Sequence, residues 1–323
     1  MNNIFANIQG DKTLWAVLIL LAGFSFLPVY SAASNLAYVS GSGNTFNYLF
    51  KHFIHLSLGF TFMYLMQKIP YHYFRGISIL MIPVVIVLLL YTIFQPSVTD
   101  SLTNTNRWIK IPFVGFTFQP STLAGVILMI YVSRYLAKIK DIDVRFSQTI
   151  LPLWIPTLFI LLLILPANFS TTAIIFSMVI LLCFVGGYPI KHLVGIVLSG
   201  ILVLSIFILT IKAYPGIFPN RVDTWKSRIE NFVNKENTTE NYQIEKAKIA
   251  IATGGVRGLG PGKSVQKNFL PQSSSDFIFA IIIEEYGLIG GLFLLTVYAL
   301  FLLRIIIISN KAESVFGSLL VIA

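Results

Sequence analysis

The sequence has few charged residues and a single cysteine. Charged side chains make up 11% of the 323 residues, whereas hydrophobic side chains make up 56%, and the mean hydropathy is +0.80. A water-soluble domain of this length needs more charge to cover its surface, so the composition excludes an ordinary soluble globular protein. Cys183 has no second cysteine with which to form an internal disulfide, so it does not indicate a redox compartment.

The hydrophobic residues are concentrated in long blocks. A hydrocarbon core of ~30 Å requires about 20 apolar residues in a helix. Blocks that approach this length lie at roughly 14–30, 48–66, 76–94, 119–137, 149–165, 171–186, 193–212 and 288–308. We therefore expect an all-α polytopic membrane protein with about eight transmembrane helices and the start of a ninth at 318–323. The first block lacks a small-residue cleavage site, so we expect no cleavable signal peptide.

The longest polar interval, 213–276, divides the chain into three parts. Residues 1–212 contain seven spans, 213–276 form a large extracytoplasmic loop, and 277–323 contain the eighth span and the truncated start of the ninth. Apolar residues around Trp225 recur at helical spacing among charges, which predicts an amphipathic helix on the membrane surface. A second helix is expected over 242–252. The small polar residues at 31–44 predict a turn-rich outer loop.

Positive charge is unevenly distributed between the short loops, although the net charge is +10. With the N-terminus inside, ten basic residues fall in short inner loops: Lys12, Lys68, Arg75, Arg134, Lys138, Lys140, Arg145, Lys191, Arg304 and Lys311. Three fall in short outer loops: Lys51, Arg107 and Lys110. This positive-inside bias predicts a cytoplasmic N-terminus and an external 213–276 loop. It accounts for the basic composition without a nucleic-acid partner.

A glycine-rich run over 254–264 ends in Gly-Lys-Ser. A P-loop requires four residues between its first glycine and that tripeptide, whereas three residues separate Gly258 from it and position 257 is arginine. It also lies on the predicted outer side, away from ATP, so a Walker site is not expected. Glycine amides together with Arg257, Lys263 and Lys267 are suited to hold a phosphate group. The alternative is a turn with a purely structural role.

Asp276 is the only acid between Ala247 and Ile283, and it stands where a polar loop meets an apolar segment. We expect partial burial at such a junction, and this position suits a general base. The alternative is an N-cap of the following helix, since aspartate is a favoured cap, and the two roles do not exclude each other.

Glu284 and Glu285 lie in a largely apolar segment near the predicted outer interface. Charged groups inside membrane helices are costly and usually functional or paired, whereas the cost at the interface is small. The interval from Asp276 to Ser309 is too long for one upright span. It leaves 277–287 as an additional outer or re-entrant segment that breaks at Gly287.

Four segments carry a resemblance to a known family of membrane proteins. They are Arg107-Trp108-Ile109 with Phe118-Gln119-Pro120-Ser121, the hairpin Asn168-Phe169-Ser170-Thr171, Tyr242-Gln243 with the glycine-rich run, and Leu270-Pro271 with Asp276-Phe277-Ile278-Phe279-Ala280 and Glu284-Glu285-Tyr286-Gly287. In this pattern the chain resembles the SEDS family (shape, elongation, division and sporulation; FtsW, RodA and SpoVE types). The run 262–267 is most similar to the FtsW cell-division branch. Departures from the family pattern are Thr122, Gly125, Asn168, Gln272 and Ser274.

The resemblance implies ten spans in the family and a peptidoglycan glycosyltransferase that polymerises lipid II, with inversion, at the outer face of the membrane. It assigns Asp276 as the catalytic base. The substrate-binding residues would be Arg107, Trp108, Gln119, Ser121, Gln243, Arg257, Lys263 and Ser264, and the supporting residues Glu284, Glu285 and Asn168. Cations would stabilise the leaving pyrophosphate. The implied location is the bacterial cytoplasmic (inner) membrane at the division septum.

The resemblance also implies partners and leaves alternatives open. The expected partners are lipid II, a class B penicillin-binding protein transpeptidase and other division proteins. No nucleotide cofactor is needed, and a divalent cation, Mg²⁺ or Mn²⁺, on the substrate pyrophosphate is compatible with the chemistry. A flippase or transporter of lipid-linked precursors is an alternative, although charge collected in outer loops favours an enzyme. A non-catalytic division scaffold is a second alternative.

Overall fold

A computed structural model describes residues 9–39, 45–95, 108–110, 117–140, 142, 144–213, 239–270 and 275–323. In chain order the helices are α1 (Lys12–Val39), α2 (Thr45–Met66), α3 (Phe74–Phe94), α4 (Pro120–Ile139), α5 (Phe146–Thr149), α6 (Ile155–Ile164), α7 (Phe169–Val185), α8 (Ile190–Ala213), α9 (Thr239–Gly254), α10 (Ile278–Asn310) and α11 (Val315–Ile322). Short 3₁₀ helices lie at Tyr71–Tyr73 and Gln266–Asn268, and a π-helix at Ile150–Trp154. The mainly helical architecture is therefore confirmed.

The helices overlap each of the predicted apolar blocks. In the described part of the chain, five segments are long and apolar enough to cross a membrane: Lys12–Ser34, Tyr71–Phe94, Pro120–Ile139, Phe146–Ile164 and Ile278–Asn310. Phe169–Val185 and Ile190–Val203 are shorter apolar helices. The number of crossings and the three-part division of the chain stay predictions. The predicted amphipathic helix around Trp225 lies outside the described residues.

The predicted turn-rich loop after residue 30 is wrong for its first part, because α1 continues to Val39. Ser31, Ala32 and Ala33 are buried in the structure. Their small side chains were interpreted as turn formers, whereas small residues also allow helices to pack closely.

The chain forms two compact units, Met1–Ile69 with Thr224–Ile305 and Pro70–Asp223 with Ile306–Ala323. In the first unit, α1 and α10 run antiparallel. Arg304 Nη2 lies 2.5 Å from Asp11 Oδ2 at one end of the pair, and Ser31 donates a hydrogen bond to Glu285 at the other end. Ser31 lies 20 residues after Asp11, and Arg304 lies 19 residues after Glu285. At 1.5 Å per residue, each separation is about 30 Å, the thickness of the hydrocarbon core.

The second unit is built around α4. Its core side chains come mainly from α3, α4, α6, α7 and the π-helix, with further residues from α8 and α11. They include Val85, Leu128, Leu136, Leu153, Ile160 and Val179. Pro120 occupies the first turn of α4, where proline is well tolerated. Two-residue strands β1 (Ile109–Lys110) and β2 (Thr117–Phe118) pair antiparallel just before this helix.

Large apolar side chains cover much of the outer surface. Phe94 is 81% exposed and Leu151 is 73% exposed. Exposed apolar surface on this scale requires lipid or protein contacts, as expected of a multi-pass membrane protein.

Candidate active site in the glycine-rich segment and the start of α10

The glycine-rich segment, Gly254 to Ser264, lies along the first turns of α10 in the first unit. Leu259 N donates to Glu284 O over 2.9 Å, and Gly260 N donates to Glu285 O over 2.9 Å. In the opposite direction, Leu288 N donates to Gly255 O over 2.9 Å. These hydrogen bonds satisfy backbone groups on both sides of Gly287, where the helical backbone of α10 is interrupted.

Glycine is required at three points where these backbones meet, the first being Gly254, where a Cβ would lie 2.1 Å from Ile283 O. Gly287 has φ 68° and ψ −172° inside α10, and a Cβ there would lie 2.2 Å from Val256 O. A Cβ on Gly258, which has φ 76°, would lie 2.2 Å from Glu285 O. Only a residue without a side chain fits such positions. The sequence-based prediction of a break at Gly287 is confirmed.

Glu284 is fully buried and accepts hydrogen bonds from the chain that follows the glycine-rich segment. Its Oε1 accepts from Val265 N at 3.0 Å and from Gln266 N at 3.3 Å. Its Oε2 accepts from the Ser264 hydroxyl. The carboxylate therefore caps the 3₁₀ helix Gln266–Asn268, in the way an acidic group stabilises a helix N-terminus.

Glu285 is 1% exposed and contacts α1. Its Oε1 accepts from the Ser31 hydroxyl and, at 3.3 Å, from Ser264 N. Lys267 Nζ donates to Ser31 Oγ at 3.2 Å and to Gly262 O at 2.8 Å. Glu284 and Glu285 were expected near an interface at small cost. The structure instead buries both inside protein, where a carboxylate requires hydrogen-bond donors and a compensating charge.

Asp276 lies in the turn before α10 and is exposed, in contrast to the predicted partial burial. Among the residues that the structure describes, no hydrogen bond reaches its carboxylate. The helix begins at Ile278, two residues later. The Asp276 carboxylate is therefore available to an external ligand.

Arg257 and Lys263 are exposed on the glycine-rich segment. The predicted phosphate cradle of glycine amides is wrong for Gly258 and Gly260, and the neighbouring amides of Leu259 and Lys263 are likewise used within the protein. Gly258 N donates to Gly254 O, Lys263 N donates to Gly260 O, and the amides of Leu259 and Gly260 donate to α10. The side chains of Arg257 and Lys263, rather than these amides, are the groups of this segment that are accessible to an anion.

Ser264 was predicted to bind substrate. It is buried, donates its hydroxyl hydrogen to Glu284 and accepts from Lys267 N at 3.1 Å. These contacts give Ser264 a structural role in holding the segment. Gln243 is half-buried on α9.

Four other predicted residues belong to the second unit. Trp108 is exposed beside β1, Gln119 is half-buried before α4, and Ser121 is buried in the first turn of α4. Asn168 caps α7, since its Oδ1 accepts from Thr171 N at 3.2 Å. Arg107 lies outside the described residues.

Sequence reasoning missed Ser31 as a functional candidate and did not place Lys267 beside it. Ser31 is separated from Glu285 by 254 positions, and no local pattern connects them. Within the described ranges, no group of three or more His, Cys, Asp or Glu side chains is placed to hold a metal ion.

Comparison with known proteins identifies relatives of this chain. The FtsW/RodA/SpoVE family model, described as "Cell cycle protein", matches residues 11–323. A "Probable peptidoglycan glycosyltransferase FtsW" of Marinomonas mediterranea is 31% identical over 95% of this chain and 73% of its own length. A protein of the same name from Coxiella burnetii is 27% identical over 96% of this chain and 81% of its own.

Two solved structures share the fold. One, from work on the structural coordination of polymerization and crosslinking by a peptidoglycan synthase complex, has a TM-score of 0.68 at 19% identity and covers 96% of this chain and 81% of its own. The rod shape determining protein RodA of Thermus thermophilus has a TM-score of 0.63 at 19% identity, with 96% and 79% covered. The family match over nearly the whole length, together with the relative at 31% identity, shows that the chain belongs to the FtsW/RodA/SpoVE family of cell cycle proteins.

Proposed function

We propose that the protein is a peptidoglycan glycosyltransferase that polymerises lipid II into glycan strands at the outer face of the cytoplasmic membrane during cell division. Relatives that carry the glycosyltransferase name FtsW, at 27% to 31% identity over almost all of this chain, support the reaction class. The arrangement at the start of α10 supports a site on this chain that performs it.

In the proposed reaction, the 4-hydroxyl oxygen of one disaccharide attacks C1 of the sugar on another lipid II molecule. The bond from C1 to the pyrophosphate oxygen breaks with inversion, and the leaving group takes the bonding electron pair. The hydroxyl proton passes to a carboxylate. The reaction therefore needs a general base near the acceptor and positive charge near the leaving group.

The exposed Asp276 carboxylate is the observation that carries this proposal. Unlike the buried carboxylates of Glu284 and Glu285, it accepts no hydrogen bond from the described residues. Asp276 also stands at the position of the aspartate in the segment that most resembles the family. The N-cap alternative is weakened because α10 begins two residues later, at Ile278. We therefore assign Asp276 as the base.

Exposed Arg257 and Lys263 are the proposed partners of the pyrophosphate. Arg107, Trp108, Gln119, Ser121 and Gln243 remain proposed substrate contacts through the family pattern. A guanidinium binds phosphate oxygens through two parallel hydrogen bonds, which lysine cannot reproduce. Arg257→Lys is therefore expected to recover only part of the activity that Arg257→Ala loses.

A direct assay separates the proposal from the transporter and scaffold alternatives. Purified protein, with its transpeptidase partner present, is incubated with lipid II, and the glycan products are separated by length. In parallel, vesicles containing the protein are tested for movement of labelled lipid II between leaflets. Glycan strands support the proposal. Leaflet movement without polymer would favour a transporter, and neither activity would favour a scaffold.

We propose a cytoplasmic N-terminus, an external 213–276 segment and a septal location. The antiparallel arrangement of α1 and α10 supports opposite crossing directions, as expected if α10 is an even-numbered span. The ten-to-three bias in loop charge supports the cytoplasmic N-terminus. Cysteines replacing Thr238 and Lys140, in a Cys183→Ala background, are expected to react oppositely with a membrane-impermeant thiol reagent on intact spheroplasts. Labelling of the cysteine at position 140 alone would show that the protein has the opposite orientation in the membrane.

We further propose a class B penicillin-binding protein transpeptidase as the partner within the division machinery. The first of the two solved structures comes from a synthase complex in which polymerization and crosslinking are coordinated, which supports such a pairing. Co-purification from detergent with the cognate transpeptidase is the test. Loss of the complex under conditions that preserve a homologous pair would argue against it.

A divalent cation, Mg²⁺ or Mn²⁺, bound to the substrate pyrophosphate is also part of the proposal. It would add positive charge where the leaving group develops negative charge. Chelation with EDTA is expected to slow polymerisation, and added Mg²⁺ or Mn²⁺ to restore it. An unchanged rate in EDTA would remove the cation from the mechanism.

A further inference from the structure

A chain of polar contacts links α1 to the segment that carries the proposed cations. Lys267 Nζ donates to Ser31 Oγ at 3.2 Å, and the Ser31 hydroxyl donates to Glu285 Oε1. The same ammonium donates to Gly262 O at 2.8 Å. Gly262 immediately precedes Lys263, so this contact fixes the backbone beside a cation that we place on the pyrophosphate.

Burial makes this chain of contacts costly to break. Ser31 is 2% exposed and Glu285 is 1% exposed. Glu285 Oε2 is buried and accepts no hydrogen bond from the described residues, so the Oε1 side, through Ser31 and Ser264 N, provides the contacts of this carboxylate. A buried carboxylate that loses a donor is strongly destabilised, because no water replaces the lost contact. The local structure therefore depends on both Ser31 and Lys267.

We propose that Ser31 and Lys267 are positioning residues, which hold the glycine-rich segment against α1 and α10 so that Lys263 meets the leaving pyrophosphate. This inference rests on the proposed function. Neither residue touches the reacting atoms. They act through Glu285 on one side and the Gly262 carbonyl on the other.

The kinetic test uses Ser31→Ala and Lys267→Met in the complete protein with its partner. Displacement of reacting groups by about 1 Å costs up to ~10²-fold in rate. We expect kcat per folded molecule to fall by about 10- to 100-fold while KM for lipid II changes little. Lys267→Arg, which keeps a cation, is expected to retain more activity than Lys267→Met. The double variant should be no slower than the worse single variant, because both changes break one network.

Matched controls are Ser57→Ala, at an exposed serine of α2, and Lys248→Met, at an exposed lysine of α9. Both should keep wild-type kcat. A purely structural role for Ser31 and Lys267 predicts less folded protein but an unchanged kcat for the folded fraction. That result, or strictly additive effects in the double variant, would overturn the inference.

Hydrogen exchange measured by mass spectrometry tests the positioning without reference to activity. The amides of residues 262–267 are expected to exchange faster in Ser31→Ala and Lys267→Met than in the controls. Unchanged exchange would refute the inference. If the wild-type protein makes no glycan but exchange responds as expected, the proposed function fails while the positioning by Ser31 and Lys267 stands. If Lys267→Met does not fold, Ser31→Ala, which removes one hydrogen-bond donor but no charge, still decides both measurements.

Discussion

Two acidic positions that lie eight residues apart, Asp276 and Glu284, have opposite environments. Glu284 is fully buried and accepts hydrogen bonds from Ser264, Val265 and Gln266. Asp276 is exposed in the turn before α10. A carboxylate whose oxygens are already occupied is suited to hold a segment in place, whereas one with accessible oxygens is suited to accept a proton from a bound ligand. The difference predicts that substitutions at the two positions fail in different ways.

The largest effect on rate is expected for Asp276→Asn. Asparagine preserves size and capping ability but does not accept a proton at neutral pH. General-base assistance contributes ~10²–10⁴-fold, so polymerisation should fall by about that factor with no change in melting temperature. Glu245→Gln, at an exposed acid on α9, is the control and should keep wild-type activity. An active Asp276→Asn protein would show that Asp276 is a structural residue, so that Asp276 and Glu284 would no longer differ in role.

Glu284→Ala should instead lower stability. It leaves the Ser264 hydroxyl and two backbone amides without their acceptor, and each unsatisfied buried group costs roughly 1–3 kcal/mol. We expect a lower melting temperature in detergent and faster proteolysis of the glycine-rich segment. Wild-type stability in this variant would mean that the loop is held by the backbone contacts with α10 alone.

Gly287→Ala should lower stability by an amount comparable to Glu284→Ala, because the backbone of the glycine-rich segment must shift to make room for the methyl group. Holding a non-glycine residue in such a backbone conformation costs about 1–3 kcal/mol, and the new methyl group also meets Val256 O. Gly23→Ala, on α1, has open space around its Cβ position and is the control. Equal melting temperatures for the two variants would show that the break in α10 adapts to a side chain.

The smallest effect is expected for Asp11→Asn, at the opposite end of α1. The hydrogen bond from Arg304 lowers the pKa of Asp11 to about 2. A lowered pKa in the folded state means that the pair stabilises the protein above the ordinary aspartate pKa, ~3.9, and that this contribution is lost as the pH falls toward 2. The difference in melting temperature between wild type and variant should be constant near neutral pH and shrink below pH ~4. A constant difference down to pH ~2 would contradict the ion pair.

Much of the helical arrangement could be predicted from the sequence, because apolar blocks of membrane length report directly on helices. The break at Gly287 was also predictable, since α10 is too long for one span. The continuation of α1 through Ser31 was not, because serine and alanine occur both in turns and in closely packed helices.

The site was predictable only in part. Asp276, Arg257 and Lys263 were identified by residue type and position, and the structure leaves all three exposed. The pairing of Glu285 with Ser31 joins residues 254 positions apart, and contacts of that range leave no periodic trace in one sequence. The sequence also did not show that amides of the glycine-rich segment donate hydrogen bonds within the protein, because the acceptors of Leu259 N and Gly260 N lie on α10.

The contacts Asp11–Arg304 and Ser31–Glu285 lie about 30 Å apart along both α1 and α10, so this helix pair matches the thickness of the hydrocarbon core. Contacts near both ends oblige the helices to tilt together when the surrounding lipid is thinner than their span. The glycine-rich segment, which bears Lys263, is joined to α10 at Glu284 and Glu285, so a change in the tilt of α10 would also move this segment. We therefore expect the polymerisation rate in reconstituted vesicles to depend on the acyl-chain length of the lipid.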